Sequence, residues 1–124
     1  MQTGIFGYKG HVHFQTAPCI NEELEAFRGL PKTEVFARTA SLIDHYIHLN
    51  YRLYPGNYIA CDLLEGNQHF ASRYTTEDVA RFNTYLQKKL DMISLPDKDE
   101  EFLRKCMLTM YANPVINHQK ALEE

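Results

Sequence analysis

Tyrosine is concentrated in one short stretch of the chain, where an arginine and an asparagine accompany it. Four of the eight tyrosines lie between positions 46 and 58. A tyrosine side chain offers apolar area with a polar tip, which suits a ligand wall or an interface. Arg52 is the best anion-binding candidate in the sequence. The substrate-binding candidates are therefore Arg52, Tyr54, Asn57 and Tyr58.

A structural role for the same stretch is the alternative. Pro55-Gly56 separates two helical patterns, so the tyrosines can pack the corner between two helices. An arginine at a helix end also commonly satisfies the last backbone carbonyls. The sequence leaves both interpretations open.

Histidines are the second group of residues that could take part in catalysis or metal binding. His11 and His13 have the spacing that places two imidazoles on one side of an extended segment. Farther along, His48 follows Asp44 by four residues and His45 by three, so these groups can meet on one helix surface. Protein metal sites normally use three or four converging ligands. The sequence fixes no third ligand, and we predict no catalytic residue, no metal and no cofactor.

Nucleophilic chemistry is also disfavoured. None of the three serines stands in a Gly-x-Ser-x-Gly turn. Cys61 and Cys106 fall in apolar helical runs, where burial is expected and a thiol stays protonated. Together with Cys19 they make an odd, widely spaced set, which favours reduced structural thiols in a cytoplasmic protein.

The element predicted for the first histidine pair is a strand. Residues 11–15 alternate, with Val12 and Phe14 on one face and the polar side chains on the other. A lone strand leaves backbone groups unpaired. Its partner could be residues 3–8 in a hairpin, its own copy in a dimer, or a sheet that this chain does not contain.

Helical patterns fill the remainder of the sequence. The longest is expected to be a buried central helix, and the final one begins at an apparent capping box and is ended or kinked by Pro114. The patterns run over residues 21–29, 33–53, 57–64, 75–93 and 97–114. The predicted fold is mainly α with an N-terminal β-strand or hairpin (α+β), four to five helices packing around one core. Residues 1–20 form the extended segment and residues 21–124 the helical domain.

Length and composition fit one globular domain. The chain has 124 residues, 44% of them hydrophobic and 23% charged, with a net charge of −3. Nucleic-acid binding is not expected, because such proteins concentrate positive charge on one face. No apolar run reaches the ~20 residues of a spanning helix, and the first residues lack the features of a secretory signal.

Four stretches resemble the carboxyl-terminal region of bacterial lysophosphatidate (1-acylglycerol-3-phosphate) acyltransferase-like enzymes. They are residues 3–14 (TGIFGYKGHVHF), 17–21 (APCIN), 50–58 (NYRLYPGNY) and 108–114 (LTMYANP). The resemblance implies a cytoplasmic glycerolipid acyltransferase, with an acyl donor and a glycerolipid as substrates. It also implies that this chain is a helical region whose partner is the remainder of such an enzyme.

The family's catalytic signature is absent from this chain. These enzymes use His-x-x-x-x-Asp, in which the histidine is the general base and the aspartate orients it. Here the residues five positions after each histidine are Thr16, Pro18, Asn50, Leu53, Tyr74 and Glu123. The region is therefore expected to be non-catalytic. The alternative function is a stand-alone helical interaction module that dimerises through the edge of its strand.

Overall fold

Five α-helices and one 3₁₀ turn make up the computed structural model, which describes Gly7 and residues 10–124. In chain order the helices are α1 (Asn21–Ala26), α2 (Lys32–Leu49), α3 (Pro55–Glu65), α4 (Thr76–Asp91) and α5 (Glu100–Glu123). The 3₁₀ turn, Ala71–Arg73, lies between α3 and α4. Within the described residues no helix is long and apolar enough to cross a bilayer.

The predicted N-terminal strand is wrong. Residues 10–20 form no strand, and there is no sheet in the described part of the chain, so the fold is all-helical there and not α+β. The alternation at Val12 and Phe14 does not mark a buried face, since these side chains are 63% and 89% exposed. Without a neighbouring strand, extended backbone gains no ladder hydrogen bonds. The proposed hairpin partner, residues 3–8, lies outside the described residues apart from Gly7.

The core lies between α3, α4 and α5. The fully or nearly buried side chains of this cluster are Ile59, Ala60, Cys61, Phe82, Leu86, Leu108, Ala112 and Val115. Small residues at the contact between α3 and α5 let the two helices pack closely. Sulfur Sγ of Cys61 lies 3.6 Å from the Ala112 carbonyl oxygen, to which it donates a hydrogen bond.

The long α2 helix is peripheral, which corrects the expectation that it is the central one. None of its residues is buried, whereas Ile59 to Asp62 of the shorter α3 are all buried. α5 packs against α2, but the α2 side chains of Phe36, Ile43 and Ile47 remain exposed. An apolar pattern identifies a helix without specifying which neighbour covers it.

Two details of the last helix also differ from expectation. The N-cap is Asp99, whose carboxylate accepts a hydrogen bond from the Phe102 amide at 2.9 Å, and not Asp97. Asp97 instead adopts a left-handed turn with φ of +53°. Pro114 lies inside the helix, which continues to Glu123. Cys106 in this helix is exposed, as is Cys19, so of the three thiols only Cys61 has the expected buried position.

Candidate functional site

Arg52 and Tyr54 lie in the connection between α2 and α3. The helix end is satisfied by Asn50, whose side chain donates to the Tyr46 carbonyl oxygen at 2.8 Å. Arg52 is exposed, with its guanidinium carbon 5.9 Å from the centre of the Tyr54 ring. A guanidinium at an aromatic face keeps donors free for an anion.

An elongated groove opens beside Arg52, between the N-terminal segment and α2. Its volume is about 510 Å³, within the range of small-molecule sites. The apolar part of its lining comprises Ala17, Pro18, Ile20, Ile43, Ile47 and Tyr51. The polar side chains of the lining are His13, Gln15, Asn50, Arg52 and Tyr46, whose hydroxyl donates to the Glu23 carboxylate at 3.1 Å; none of the described lining residues itself carries a carboxylate.

The groove is graded from apolar to polar along its length. On the wall formed by α2 and the residues after it, the chain runs from the apolar Ile43 and Ile47 to Arg52. On the opposite wall it runs the other way, from the polar His13 to the apolar Ile20. His13 and Arg52 also share a neighbouring cavity of about 380 Å³, so they lie at the same end of the groove. The arrangement fits a ligand with an anionic end and an apolar body.

A third depression adjoins on the far side of Tyr54. It has a volume of about 350 Å³ and is lined by Tyr54, Gly56, Asn57, Phe82, Tyr85 and Tyr111. The hydroxyl oxygens of Tyr85 and Tyr111 are 2.7 Å apart and hydrogen bonded. Burial and this hydrogen bond raise the pKa of Tyr111, which therefore stays neutral.

The four substrate-binding candidates do not converge on one site. Arg52 and Tyr54 adjoin the same cavity. Asn57 uses both ends of its amide within the protein: Oδ1 accepts from the Tyr54 amide at 2.9 Å, and Nδ2 donates to the Tyr111 carbonyl oxygen at 2.9 Å. Tyr58 packs against Phe70, with ring centres 5.3 Å apart.

The groove also contains residues that sequence reasoning missed. Of these residues, Ile43 and Ile47 could have been recognised in the sequence, because they are apolar and four residues apart on a helix that is half polar. Gln15 and Ile20 had no signal, because they join the site only through the way residues 13–20 lie along α2.

Neither histidine group forms a metal centre. Among the described residues no three His, Cys, Asp or Glu side chains are arranged to hold a metal ion. His45 Nδ1 lies 2.9 Å from Glu124 Oε2, and His118 Nδ1 lies 2.8 Å from the His48 carbonyl oxygen. The first contact joins α2 to the residue after α5 and uses the His45 ring, and the second joins α2 to α5 through the His118 ring.

The buried polar residue in the described part of the chain is Asp62, at 3% exposure. Its carboxylate accepts from the Tyr74 hydroxyl at 2.6 Å and from the Phe70 amide at 3.0 Å. The hydrogen bond to Asp62 raises the pKa of Tyr74 to about 12. Burial raises the pKa of the adjacent Cys61 thiol to about 11, so this thiol is unreactive at neutral pH.

Comparison with known proteins adds no relative. No protein-family model, curated protein or solved structure matches the chain at a significant level.

Proposed function

We propose that this chain is the C-terminal, non-catalytic helical region of a cytoplasmic glycerolipid acyltransferase of the lysophosphatidate type. Its role is to hold the glycerolipid substrate, with the phosphate at Arg52 and the acyl chain along Ile43 and Ile47. The observation that carries the proposal is the position of Arg52 in a groove that is also lined by the apolar side chains of Ile43 and Ile47. Single-chain phospholipids have this same division between an anionic end and an apolar chain.

A contact between two of the family-like stretches supports the proposal. Residues 50–58 and 108–114 are far apart in sequence, yet Asn57 Nδ2 donates a hydrogen bond to the Tyr111 carbonyl oxygen at 2.9 Å. The stretch that contains Arg52 is therefore anchored to the core through Asn57. Such anchoring positions a binding residue without requiring it to be buried.

Catalysis is assigned to residues outside this chain. A general base in these enzymes needs a carboxylate that orients its histidine. The histidine of the groove, His13, has no carboxylate among the described lining residues, and no histidine is followed by aspartate at the fifth position. In the groove, the acyl thioester therefore meets no histidine that a carboxylate orients, and the His45–Glu124 pair lies outside the groove lining.

A second candidate is a stand-alone helical module that binds another protein. It is favoured by the exposed apolar stripe on α2, formed by Phe36, Ile43 and Ile47. Such a module would not associate through a strand edge, because residues 10–20 form no strand. A protein partner would cover Phe36 as well as the groove, whereas a single-chain lipid would leave Phe36 untouched.

Titration with octanoyl lysophosphatidate, followed by ¹H–¹⁵N NMR, tests the proposal. We expect saturable shifts at residues 13–20 and 43–52 and none at Phe36. Ile47→Gln should weaken binding about tenfold, by placing an amide against the chain. Ile116→Gln is the matched control, since Ile116 is a partly exposed isoleucine on α5. Mass spectrometry should detect no phosphatidate after an acyl thioester is added.

Two results would contradict the proposal. The first is the absence of shifts in the groove at saturating lipid, or equal shifts with glycerol 3-phosphate, which has no chain. The second is turnover to phosphatidate by the purified chain, which would show that the chain itself is catalytic.

A further inference from the structure

Asp62 on α3 is a buried carboxylate. Its neighbours supply only neutral donors, the Phe70 amide and the Tyr74 hydroxyl. In the described part of the chain, no lysine, arginine or histidine forms an ion pair with this carboxylate. A buried charge that lacks an opposite charge attracts one strongly, because water does not screen it.

The two carboxylate oxygens are not equally occupied. Oδ2 accepts the short bond from Tyr74 at 2.6 Å and a bond from the Phe70 amide at 3.0 Å. Oδ1 accepts only a longer bond from the same Phe70 amide, at 3.2 Å. A carboxylate offers about four lone-pair sites, so Oδ1 retains capacity for another donor.

A cavity of about 370 Å³ adjoins Asp62, between α3 and the start of α4. Its polar lining is neutral apart from Asp62 and includes Gln68 and Thr76, while Ile59, Leu63 and Val79 supply apolar walls. The volume lies within the range of small-molecule sites. The cavity thus combines one negative charge, a few neutral oxygens and apolar surface.

This composition does not suit a metal ion. Ca²⁺ takes six to eight oxygen ligands, and Mg²⁺ requires near-ideal octahedral geometry and is usually held by one or two carboxylates together with waters or phosphates. The cavity has a single carboxylate, and the described residues contain no group of three side chains arranged for a metal. A cation that carries its own apolar body fits the cavity better.

We propose that the Asp62 cavity binds a small organic ammonium ion. The ammonium group donates to Oδ1 of Asp62 and to the side-chain oxygens of Gln68 and Thr76, and its carbon body contacts Leu63 and Val79. The site lies on the side of α3 that faces the 3₁₀ turn and shares no residue with the groove at Arg52. The inference is therefore independent of the proposed function.

The test is an NMR titration with n-butylammonium chloride at constant ionic strength, with sodium chloride, tetramethylammonium chloride and 1-butanol as controls. We expect saturable shifts confined to the amides of residues 59–79. 1-Butanol, which lacks the charge, and tetramethylammonium, which lacks N–H donors, should bind at least about tenfold more weakly.

Two variants locate the site. Asp62→Asn keeps an oxygen for Phe70 and Tyr74 but removes the charge, so it should lose butylammonium binding. Ala71→Leu places a larger side chain at the cavity wall and should also abolish binding, whereas Ser72→Leu, next to it on the same 3₁₀ turn but outside the lining, should not. If Asp62→Asn does not fold, the pair at residues 71 and 72 decides the result. Equal binding of 1-butanol, shifts outside residues 59–79, or unchanged binding by Ala71→Leu would overturn the proposal.

Discussion

The Asn57 side chain joins the start of α3 to the middle of α5: its Nδ2 donates to the Tyr111 carbonyl oxygen at 2.9 Å, across 54 residues of sequence. The same amide accepts from the Tyr54 backbone through Oδ1. Asn57 therefore links three parts of the fold: the connection between α2 and α3 that contains Arg52, the start of α3, and α5.

Asn57→Ala should lower the free energy of unfolding by about 2 kcal/mol, because two hydrogen bonds are lost and a part-buried carbonyl oxygen loses a donor. Urea denaturation measures the change. Asn113→Ala, an exposed asparagine on α5, is the control and should cost less than about 0.5 kcal/mol. Equal midpoints for the two variants would show that the Asn57 bonds do not stabilise the fold.

Thr75→Ala should destabilise α4 by about 1 kcal/mol, since Thr75 Oγ1 accepts the Asp78 amide at 3.1 Å as the N-cap. In return, the Thr75 backbone amide and, to a smaller extent, its hydroxyl donate to the Asp78 carboxylate and lower its pKa; Thr75→Ala removes only the contribution of the hydroxyl. That contribution is present above the ordinary carboxyl pKa and is lost as the pH falls below it. As the pH is lowered, the free energy of unfolding should therefore decline less steeply for Thr75→Ala than for the wild type. Thr84→Ala, at an exposed site on the same helix, should retain the wild-type pH profile.

Tyr74→Phe should cost about 1.5 to 3 kcal/mol near neutral pH, because the lost bond is made to a carboxylate. The pKa of Tyr74 is raised to about 12, so its stabilising effect is complete below the ordinary tyrosine pKa of about 10 and is lost as the pH rises through 12. The gap in unfolding free energy between wild type and Tyr74→Phe should thus narrow over that interval. A gap that stays constant between pH 9 and 12 would argue against the Tyr74–Asp62 bond in solution.

Val12→Pro should leave the molar mass in solution unchanged. Residues 10–20 form no ladder that the missing proline N–H could interrupt, and the Val12 side chain is exposed. Sedimentation velocity of both proteins over a range of concentrations provides the comparison. If the wild-type protein is a dimer and Val12→Pro dissociates it, the result would support strand pairing between two copies.

The sequence predicted those elements whose signals are local. The helical pattern over residues 75–93 corresponds to α4, whose N-cap is Thr75 and whose buried residues Phe82, Leu86 and Leu90 lie at helical spacing. The strand failed because alternation at Val12 and Phe14 does not supply a partner strand. Likewise, the apolar faces of α2 did not indicate which of them α5 would cover.

The candidate site was predictable only in part, for a related reason. Arg52 and Tyr54 are close in sequence, and their pairing is local. The contact of residues 13–20 with α2 is a tertiary contact between an irregular segment and a helix, which no periodicity encodes. Asp62 gave no signal either, since its burial depends on the fold of residues 66–74 over it.

Isothermal titration of octanoyl lysophosphatidate into wild type, Arg52→Gln and Arg73→Gln tests the lipid-holding role most directly. Arg73 is the matched control. It is also an exposed arginine whose guanidinium lies over a tyrosine ring, that of Tyr58, but it does not line the groove. We expect Arg52→Gln to bind at least about tenfold more weakly, by loss of a charge-assisted contact to phosphate, and Arg73→Gln to bind as wild type does. Equal affinities for wild type and Arg52→Gln, or no heat of binding to the wild type, would contradict the proposed function.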